Sequence, residues 1–259
     1  MDDWVVHELS AAPRVQVVRP MPDLPPALDA LVEQVWRVAA ARVEGGGAGR
    51  LFNGRVFSAD RIEADAITGH LTEFRRIVAQ MERPDLFPAL GLRPLAVCGV
   101  LRCRDGVAIG RRPAAAIYQP GMWQLPPAGS VDAGAVEADG RADLARQVLA
   151  EAEEEIGLPA NAIAAPRPLC VVEHPGSHVS DVGLLLETRL DAAAVLAAHR
   201  ARGNAEYDPL RVVAEADLPG FVAECGPWLV PPARVFLARI GLLPQSAADL
   251  RGAAHTATA

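Results

Sequence analysis

A run of acidic residues, "EAEEE" (151–155), stands just before a helix stop in the segment "LAEAEEEIGLPA" (149–160). Gly157 and Pro159 follow an apolar residue and predict that a helix ends there, so four carboxylates occupy its last turn. Anions are disfavoured at that end, which carries the negative pole of the helix dipole. Like charges three and four residues apart also repel each other. The arrangement is unfavourable unless a cation compensates it.

The spacing within this run favours a metal site over a solvated acidic face, which is the alternative. Glu151, Glu154 and Glu155 stand at positions i, i+3 and i+4 and therefore share one face of the predicted helix. Carboxylate oxygens on one face suit Mg²⁺ or Mn²⁺ better than zinc. The opposing face is an apolar stripe that recurs every four residues: Leu144, Val148, Ala152 and Ile156.

Composition limits the classes of function that the chain can have. Its 259 residues are 51% hydrophobic, enough for one large packed domain, or a domain with a smaller appendage. All 25 basic residues are Arg, which excludes any catalytic or phosphate-binding Lys, including that of a P-loop. A net charge of −7 argues against nucleic acid or a membrane surface as partner.

Two further features indicate a cytoplasmic protein. The N-terminal segment "MDDWVVHELS" has neither the basic start of a signal peptide nor the apolar length of a membrane span. The cysteines show no metal-type pairing, which fits a reducing compartment: Cys98, Cys103, Cys170 and Cys225. The oligomeric state stays open.

The first part of the chain predicts a small α+β region over residues 1–90. The segment "RVQVVRP" (14–20) alternates like a strand, and apolar spacing predicts an amphipathic helix from Ala27 to Val43. Asn53 and Gly54 lie between apolar runs and predict a β-hairpin turn. The Pro-broken segment 81–92 is interpreted as a connection, which places a boundary near residue 90.

The second part, residues 91–244, predicts mixed strands around the acidic helix. Two strands flank an Asp105–Gly106 turn, and Asp143 is the expected N-cap of the acidic helix. Strands follow at "RPLCVVEH" (167–174), "SDVGLLLETRL" (180–190) and "PLRVVAEA" (209–216), with a helix capped by Asp191 and a terminal helix over 231–243. This order predicts an α+β or α/β sandwich with a mixed sheet, and residues 245–259 are expected to form a flexible tail.

The stretch "PPAGSVDAG…LAEAEEEIGL" resembles the Nudix hydrolases, whose box reads G-x5-E-x7-R-E-U-x-E-E-x-G-U with U aliphatic. Residues 151–158 fit the right half of the box, and Gly129 fits its opening Gly. The resemblance covers about residues 92–243 and implies the family's α/β/α sandwich. A lengthened box, a missing Arg and the added N-terminal region are most similar to the branch containing the animal uridine diphosphate glucose pyrophosphatase.

This chain departs from the box in its left half. The segment between loop and helix is longer by seven residues, and Ala135 stands where the first box Glu is expected. Asp132, Glu137 or Asp139 are candidates to compensate. Ala150 replaces the box Arg, which in the family holds a Glu and the loop in place, and Arg146 is a candidate substitute. The segment from Ala135 to Ala142 is interpreted as a surface loop that could be shortened at little cost.

The resemblance implies a divalent metal site at Glu151, Glu154 and Glu155, with Mg²⁺ as cofactor and Mn²⁺ as a substitute. The backbone carbonyl near Ala128 or Gly129 would add another ligand. The ions would neutralise phosphate oxygens and activate water. The general base is left open between Glu151, Glu173 and Asp181.

Candidate substrate contacts flank the box, each with a structural alternative. Arg111 and Arg112 end a strand where Nudix proteins often bind phosphate, or they are simply solvated. His174 and His178 bracket the "PGS" turn and contact phosphate or base, or are ordinary loop residues. Trp123 and Tyr118 precede the box and either stack on a nucleobase or pack in the core.

The resemblance implies a pyrophosphatase that acts on a nucleotide-containing small molecule. The branch implies a uridine diphosphate sugar such as UDP-glucose, cleaved to UMP and a sugar 1-phosphate. ADP-ribose, other dinucleotides and nucleoside triphosphates are alternatives. A Nudix-fold ligand sensor without catalysis is the rival class, which the departures favour and the intact carboxylates oppose.

Overall fold

The computed structural model describes residues 4–45 and 51–245 as a mixed α/β fold. Its strands are β1 (Val5–Glu8), β2 (Arg14–Val17), β3 (Arg55–Ile62), β4 (Ala66–Glu73), β5 (Leu95–Cys103), β6 (Gly106–Arg111), β7 (Trp123–Gln124), β8 (Ala128–Ser130), β9 (Arg141–Ala142), β10 (Arg167–Glu173), β11 (Ser180–Glu187) and β12 (Leu210–Val213). Its α-helices are α1 (Pro26–Gly45), α2 (Phe74–Glu82), α3 (Phe87–Leu90), α4 (Leu144–Glu151), α5 (Ala192–Arg202), α6 (Leu218–Cys225) and α7 (Pro231–Arg239).

The larger sheet is mixed, as predicted. Its strand order is β1-β10-β11-β5-β6-β12, with β8 on β5 and β7 on β6. Strands β11 and β5 run parallel, with Val182 opposite Val97, while the other pairs are antiparallel. Strand β8 carries Ala128 and Gly129, and its pairing with β5 fixes these residues beside the acidic helix.

Side chains alternate along the central strands and feed two apolar layers. Leu95, Val97 and Leu101 of β5 pack with α4 and α5 on one face, whereas Cys98 and Val100 pack with α6 and α7 on the other. Such alternation places both faces of a buried sheet against helices. The predicted α/β/α sandwich is confirmed.

The N-terminal region contributes strands to both sheets. A second sheet has the order β3-β4-β2-β9, and a separate apolar cluster joins it to α1 and α2. Strand β1 instead forms the edge of the larger sheet through β10. The division at residue 90 stays a prediction, and the predicted tail lies outside the described residues beyond residue 245.

Most of the local predictions agree with the structure. The helix predicted over 27–43 is α1, and the strand at 14–20 is β2. The predicted turn between β5 and β6 is present one residue earlier, at Arg104 and Asp105, with Gly106 as the first residue of β6. The side chain of Asp191 accepts a hydrogen bond from the Ala194 N–H as the N-cap of α5. All the cysteines are free and buried. No helix within residues 4–45 and 51–245 is long and apolar enough to cross a membrane.

The hairpin predicted at Asn53–Gly54 is wrong. The β3–β4 hairpin turns at residues 63–65, and Asn53 lies just before β3. The Oδ1 of Asn53 accepts a hydrogen bond from the backbone N–H of Arg75, 2.9 Å away, in the first turn of α2. Asn53 therefore accepts a hydrogen bond from a free N–H group at the start of α2, although it lies in a different segment of the chain. The turn preferences of neighbouring residues do not reveal this role.

The surface-loop interpretation of residues 135–142 is also wrong. Ala135 and Ala142 are buried in the main core, and β9 pairs with β2. The Val17 N–H donates to the Gly140 carbonyl at 2.9 Å, and Gln16 donates to the Asp139 carbonyl at 2.8 Å. The inserted residues are thus docked on the second sheet.

Replacing residues 136–141 with a short glycine link should therefore destabilise the protein. The docking hydrogen bonds and the partly buried side chain of Val136 together contribute about 3 kcal/mol. That loss corresponds to a fall in melting temperature of about 6–12 °C. Thermal unfolding followed by circular dichroism measures it, with exposed Ala138→Ser as the matched control. A change no larger than in the control would restore the surface-loop interpretation.

Candidate active site

Helix α4 places the acidic run as the sequence predicts. Its N-cap is Asp143, whose side chain accepts a hydrogen bond from the Arg146 N–H at 3.0 Å. The apolar stripe is buried against the sheet: Leu144, Val148, Ala152 and Ile156. The helix continues as a π-helical turn over Ala152–Ile156 and ends at Gly157, which adopts a left-handed conformation with φ of 75°. This wide turn was not predicted, and such turns often occur at functional sites.

The acidic run divides into buried and exposed members. Glu155 is 2% exposed, and its Oε2 accepts a hydrogen bond from the Ala128 N–H at 2.9 Å. Glu151 is half-buried, while Glu153 and Glu154 are exposed. The bond to Ala128 ties the end of the helix to strand β8, so the carboxylates lie beside the Pro/Gly loop as expected.

Burial and mutual repulsion make this cluster electrostatically unfavourable. Burial raises the pKa of Glu151 to about 7, against a hydrogen bond from Gln147, and the neighbouring Glu154 adds to the shift. Burial also raises the pKa of Glu155 well above its usual value, with repulsion from Glu206 and Glu151. A cation at this point would relieve both effects.

Gln147 is a site residue that sequence reasoning missed. Its Nε2 donates to the Glu151 Oε1 at 2.7 Å, and its Oε1 lies 3.4 Å from the Asp132 N–H. An amide one turn before Glu151 thus connects a carboxylate and the loop, the task that the family assigns to the Arg replaced by Ala150. The i−4 spacing from Glu151 was the available signal.

The residues that are candidates to replace the missing Glu and Arg of the box lie at different places and make different contacts. Arg146 donates to the Gly134 carbonyl at 2.9 Å, so it holds the loop but no carboxylate. Glu137 pairs with Arg141 at 2.6 Å, and the Asp139 side chain accepts from the Arg141 N–H. Asp132 accepts hydrogen bonds from the backbone of its own turn and lines the same groove as Glu151.

Gly129 lies directly against the carboxylate of Glu151. A β-carbon at this position would overlap the Glu151 carboxylate atoms, so only glycine leaves room for them. This overlap explains why glycine stands at the position that resembles the opening Gly of the Nudix box. Among residues 4–45 and 51–245, no group of three His, Cys, Asp or Glu side chains is placed closely enough to hold a metal ion as it stands. The ligand set of Glu151, Glu154, Glu155 and Gly129 stays a prediction.

Arg111 and Arg112, the candidate substrate contacts, make different hydrogen bonds and differ in burial. Arg111 is exposed, and its Nε donates to the Gly121 carbonyl at 3.0 Å. Arg112 is partly buried and donates to the Tyr118 carbonyl at 2.9 Å and to the Gln124 side chain at 2.6 Å. Its positive charge acts on both Glu155 and Asp181, so Arg112 is a cation near both of these buried carboxylates.

Asp181 is an interior carboxylate on β11. It is 6% exposed, and burial raises its pKa to about 7, while Arg112 acts in the opposite direction. Its negative charge in turn raises the pKa of Cys98 and Tyr118, whose own burial is the larger cause. Asp181 therefore changes its charge state near neutral pH, because burial favours its neutral form and the charge of Arg112 only partly opposes burial.

The raised pKa of Asp181 gives a pH dependence of stability. Between pH 3.8 and about 7 the folded protein holds this proton and the unfolded chain does not, so folding becomes less favourable as pH rises through that range. Asp181→Asn cannot ionise. We expect its free energy of unfolding to exceed that of the wild type by up to about 4 kcal/mol above pH 7, and the difference to shrink towards pH 4. Urea unfolding at pH 5 and pH 8 measures this, with exposed Asp65→Asn as control; a pH-independent difference would contradict it.

The histidines of the "PGS" turn are held by contacts with the turn itself and with neighbouring elements. The Nδ1 of His174 accepts hydrogen bonds from the Gly176 and Ser177 N–H groups at 2.9 Å. His178 lies 3.2 Å from Glu173 and stacks on Phe87 with ring centroids 3.5 Å apart. The structure does not bring these rings into contact with the acidic run, and their role as substrate contacts stays a prediction.

Glu173 and Trp123 are also held by neighbours. Burial alone would raise the pKa of Glu173, but the hydrogen bonds to His7 and His178 and the charges of Arg93 and His7 together lower it, and Arg93 forms an ion pair at 3.3 Å. Trp123 packs edge-to-face on Phe221 of α6, which favours the core interpretation of this ring.

Among known proteins, this chain is similar to solved structures only in fold. No family model matches the chain, and no curated protein does. A Nudix family hydrolase from Clostridium perfringens is 15% identical, with a TM-score of 0.37 over 58% of this chain and 96% of that one. A bifunctional NMN adenylyltransferase/ADP ribose pyrophosphatase from Francisella tularensis, complexed with AMP and an Mn ion, is 14% identical, with a TM-score of 0.39 over 63% of this chain and 44% of that one. A Deinococcus radiodurans protein is 21% identical, with a TM-score of 0.28 over 51% of this chain and 82% of that one. At these values the likeness carries no argument about activity.

Proposed function

We propose that this protein is a metal-dependent Nudix hydrolase that cleaves the diphosphate of a nucleoside diphosphate linked to another group. The observation that carries the proposal is the pair of carboxylates at the end of α4. Glu151 and Glu155 are held against β8 by Gln147, the Ala128 N–H and the close approach of Gly129. A fold gains nothing from like charges on one buried and one half-buried carboxylate unless a ligand uses them.

The donor set fits a divalent cation of the magnesium type. Glu151, Glu154, Glu155 and the carbonyl of Gly129 would hold it, since all are hard oxygen donors from adjoining elements. The bound ion would neutralise phosphate oxygens and lower the pKa of water, with Mg²⁺ as cofactor and Mn²⁺ as substitute. Glu154 is exposed and its charge acts on Glu151, whereas Gln147 holds Glu151 in place by a hydrogen bond.

We propose Glu151 and Asp181 as the better candidates for general base. An effective base has a pKa near the working pH and is free to accept a proton. Glu173 has a lowered pKa and is hydrogen-bonded by two histidines, so it is the weakest candidate. Asp181 has a pKa of about 7 and lies with Glu155 under the influence of Arg112. Glu151 and Asp181 therefore remain, and we propose Arg112 as the interior phosphate contact.

The finer proposal is a uridine diphosphate sugar such as UDP-glucose, hydrolysed between its phosphates to UMP and a sugar 1-phosphate. Its support is the resemblance of the lengthened box and added N-terminal region to one branch of the family. Residues 135–142 dock on the second sheet, which makes that lengthening a fixed part of the fold.

The test compares UDP-glucose, ADP-ribose and a nucleoside triphosphate, each with and without Mg²⁺, with products identified by mass spectrometry. We expect Mg²⁺-dependent formation of UMP and glucose 1-phosphate. A hundredfold preference for ADP-ribose would refute the uridine assignment and keep the hydrolase. Tight binding of one compound with no cleavage of any would instead support the non-catalytic sensor.

A further inference from the structure

A groove of about 390 Å³ separates the N-terminal region from the acidic helix. Phe52, Arg55 and Phe74 line one wall, and Asp132, Gly134 and Glu151 line the other. The groove thus opens beside a carboxylate of the proposed metal site, and its outer wall comes entirely from residues that the Nudix-like segment does not include.

The two walls are fixed to each other by backbone contacts. Val56 of β3 forms a bridge with Asp132, and the Phe57 N–H donates to the Val131 carbonyl at 2.7 Å. On the outer wall, the Phe74 N–H donates to the Gly54 carbonyl at 2.9 Å. The width of the groove is therefore set by a hydrogen-bonded connection and does not depend on side-chain packing alone.

The outer wall presents an aromatic ring and a cation to solvent. Phe52 is 83% exposed, which is unfavourable for so large an apolar side chain. Arg55 is exposed and forms no ion pair within the described part of the chain, whereas Arg75 and Arg76 of the adjacent helix both pair with Glu73. Phe74 is held by an edge-to-face contact with Trp36.

An exposed aromatic ring beside an exposed guanidinium group fits a nucleotide, which presents a base and a phosphate. Bases stack on exposed aromatic rings with a gain of about 1–3 kcal/mol, whichever base is present. The guanidinium group binds phosphate oxygens through paired hydrogen bonds. Glu151 and Asp132 repel a bare phosphate, so the phosphate end must approach on the Arg55 side or together with a cation.

We propose that this groove is the nucleotide subsite, in which the base stacks on Phe52 and Arg55 binds the phosphate next to the nucleoside. The proposal rests on the proposed function for its place in catalysis. It assigns recognition of the nucleotide to the N-terminal region, while the carboxylates of α4 and Arg112 serve the reacting diphosphate.

The test uses Phe52→Ala and Arg55→Gln in the full chain. Matched controls are Trp228→Ala, at a ring that is 59% exposed, and Arg61→Gln, at a side chain on the same strand that is 72% exposed. Calorimetry measures binding of UMP, AMP and uridine, and steady-state kinetics measures KM and kcat for UDP-glucose. All four positions are on the surface, so melting temperatures should stay within about 2–4 °C of the wild type.

We expect both groove variants to weaken nucleotide binding and raise KM by about tenfold, with kcat within about twofold. Uridine binding should fall in Phe52→Ala but not in Arg55→Gln, because uridine has no phosphate.

If the wild type binds UMP or AMP and both groove variants bind as the controls do, the subsite is elsewhere. A wild type that binds neither nucleotide and shows no KM change in the variants also overturns the proposal. If the wild type cleaves no diphosphate but loses nucleotide binding in these variants, the proposed function fails while the subsite stands.

Discussion

Glu155→Gln should lower kcat by about 10²- to 10³-fold, the loss typical when one group that stabilises charge in the transition state is removed. The amide keeps the size of the side chain and an oxygen that accepts from the Ala128 N–H, so the loop stays attached to the helix. What disappears is a negatively charged oxygen donor to the metal. The measurement is Mg²⁺-dependent release of nucleoside monophosphate, with the Mg²⁺ concentration varied to separate weaker metal binding from slower turnover.

Glu153→Gln is the matched control for this prediction, since Glu153 belongs to the same run but is exposed. Its turnover should equal that of the wild type. Burial of Glu155 raises its pKa well above the usual value, so neutralising it should leave thermal stability unchanged or increased. Normal turnover by Glu155→Gln would show that the acidic run is not the metal site.

Gly129→Ala should have the second largest effect, a loss of about a hundredfold in kcat. A methyl group there overlaps the carboxylate of Glu151 and forces it to move, and a displacement of about 1 Å in a reacting group can cost that much. The obstacle is the far end of a flexible side chain, so the fold should tolerate the change. Melting temperature and kcat, measured on the same preparation, separate the two effects.

Gly220→Ala is the control substitution, because a β-carbon at this position in α6 meets nothing within 4 Å. It should leave kcat unchanged and stabilise the helix by about 0.5–1 kcal/mol. If Gly129→Ala keeps full activity, the contact between Gly129 and Glu151 has no part in catalysis.

Features set by neighbouring residues could be predicted from the sequence. The N-cap at Asp143 and the four-residue apolar stripe both depend on helix geometry alone, and both are present. The alternation along β5 likewise follows from the two-residue period of a strand. Helix and strand periods therefore sufficed to predict individual helices and strands, while the α/β/α layering was predicted from the resemblance to the Nudix hydrolases.

Features set by distant residues could not be predicted in this way. The partner of Asn53 is Arg75, and the partner of β9 is β2, which is separated from it by more than a hundred residues. The π-helical turn over Ala152–Ile156 was not predicted, nor was the burial of Glu155 beside an exposed Glu154. Gln147 was overlooked because an amide is an unusual replacement for a guanidinium group.

The pairing of β1 with β10 has a consequence for how the chain folds. His7 and Glu173 are 166 residues apart, and Glu8 pairs with Arg239 across 231 residues. Contacts of such sequence separation close large loops and slow folding. During synthesis, the first strand has no partner until most of the polypeptide has left the ribosome. Its apolar residues and free backbone groups are exposed to aggregation for that time, so the yield of native protein should depend on temperature and chaperone supply.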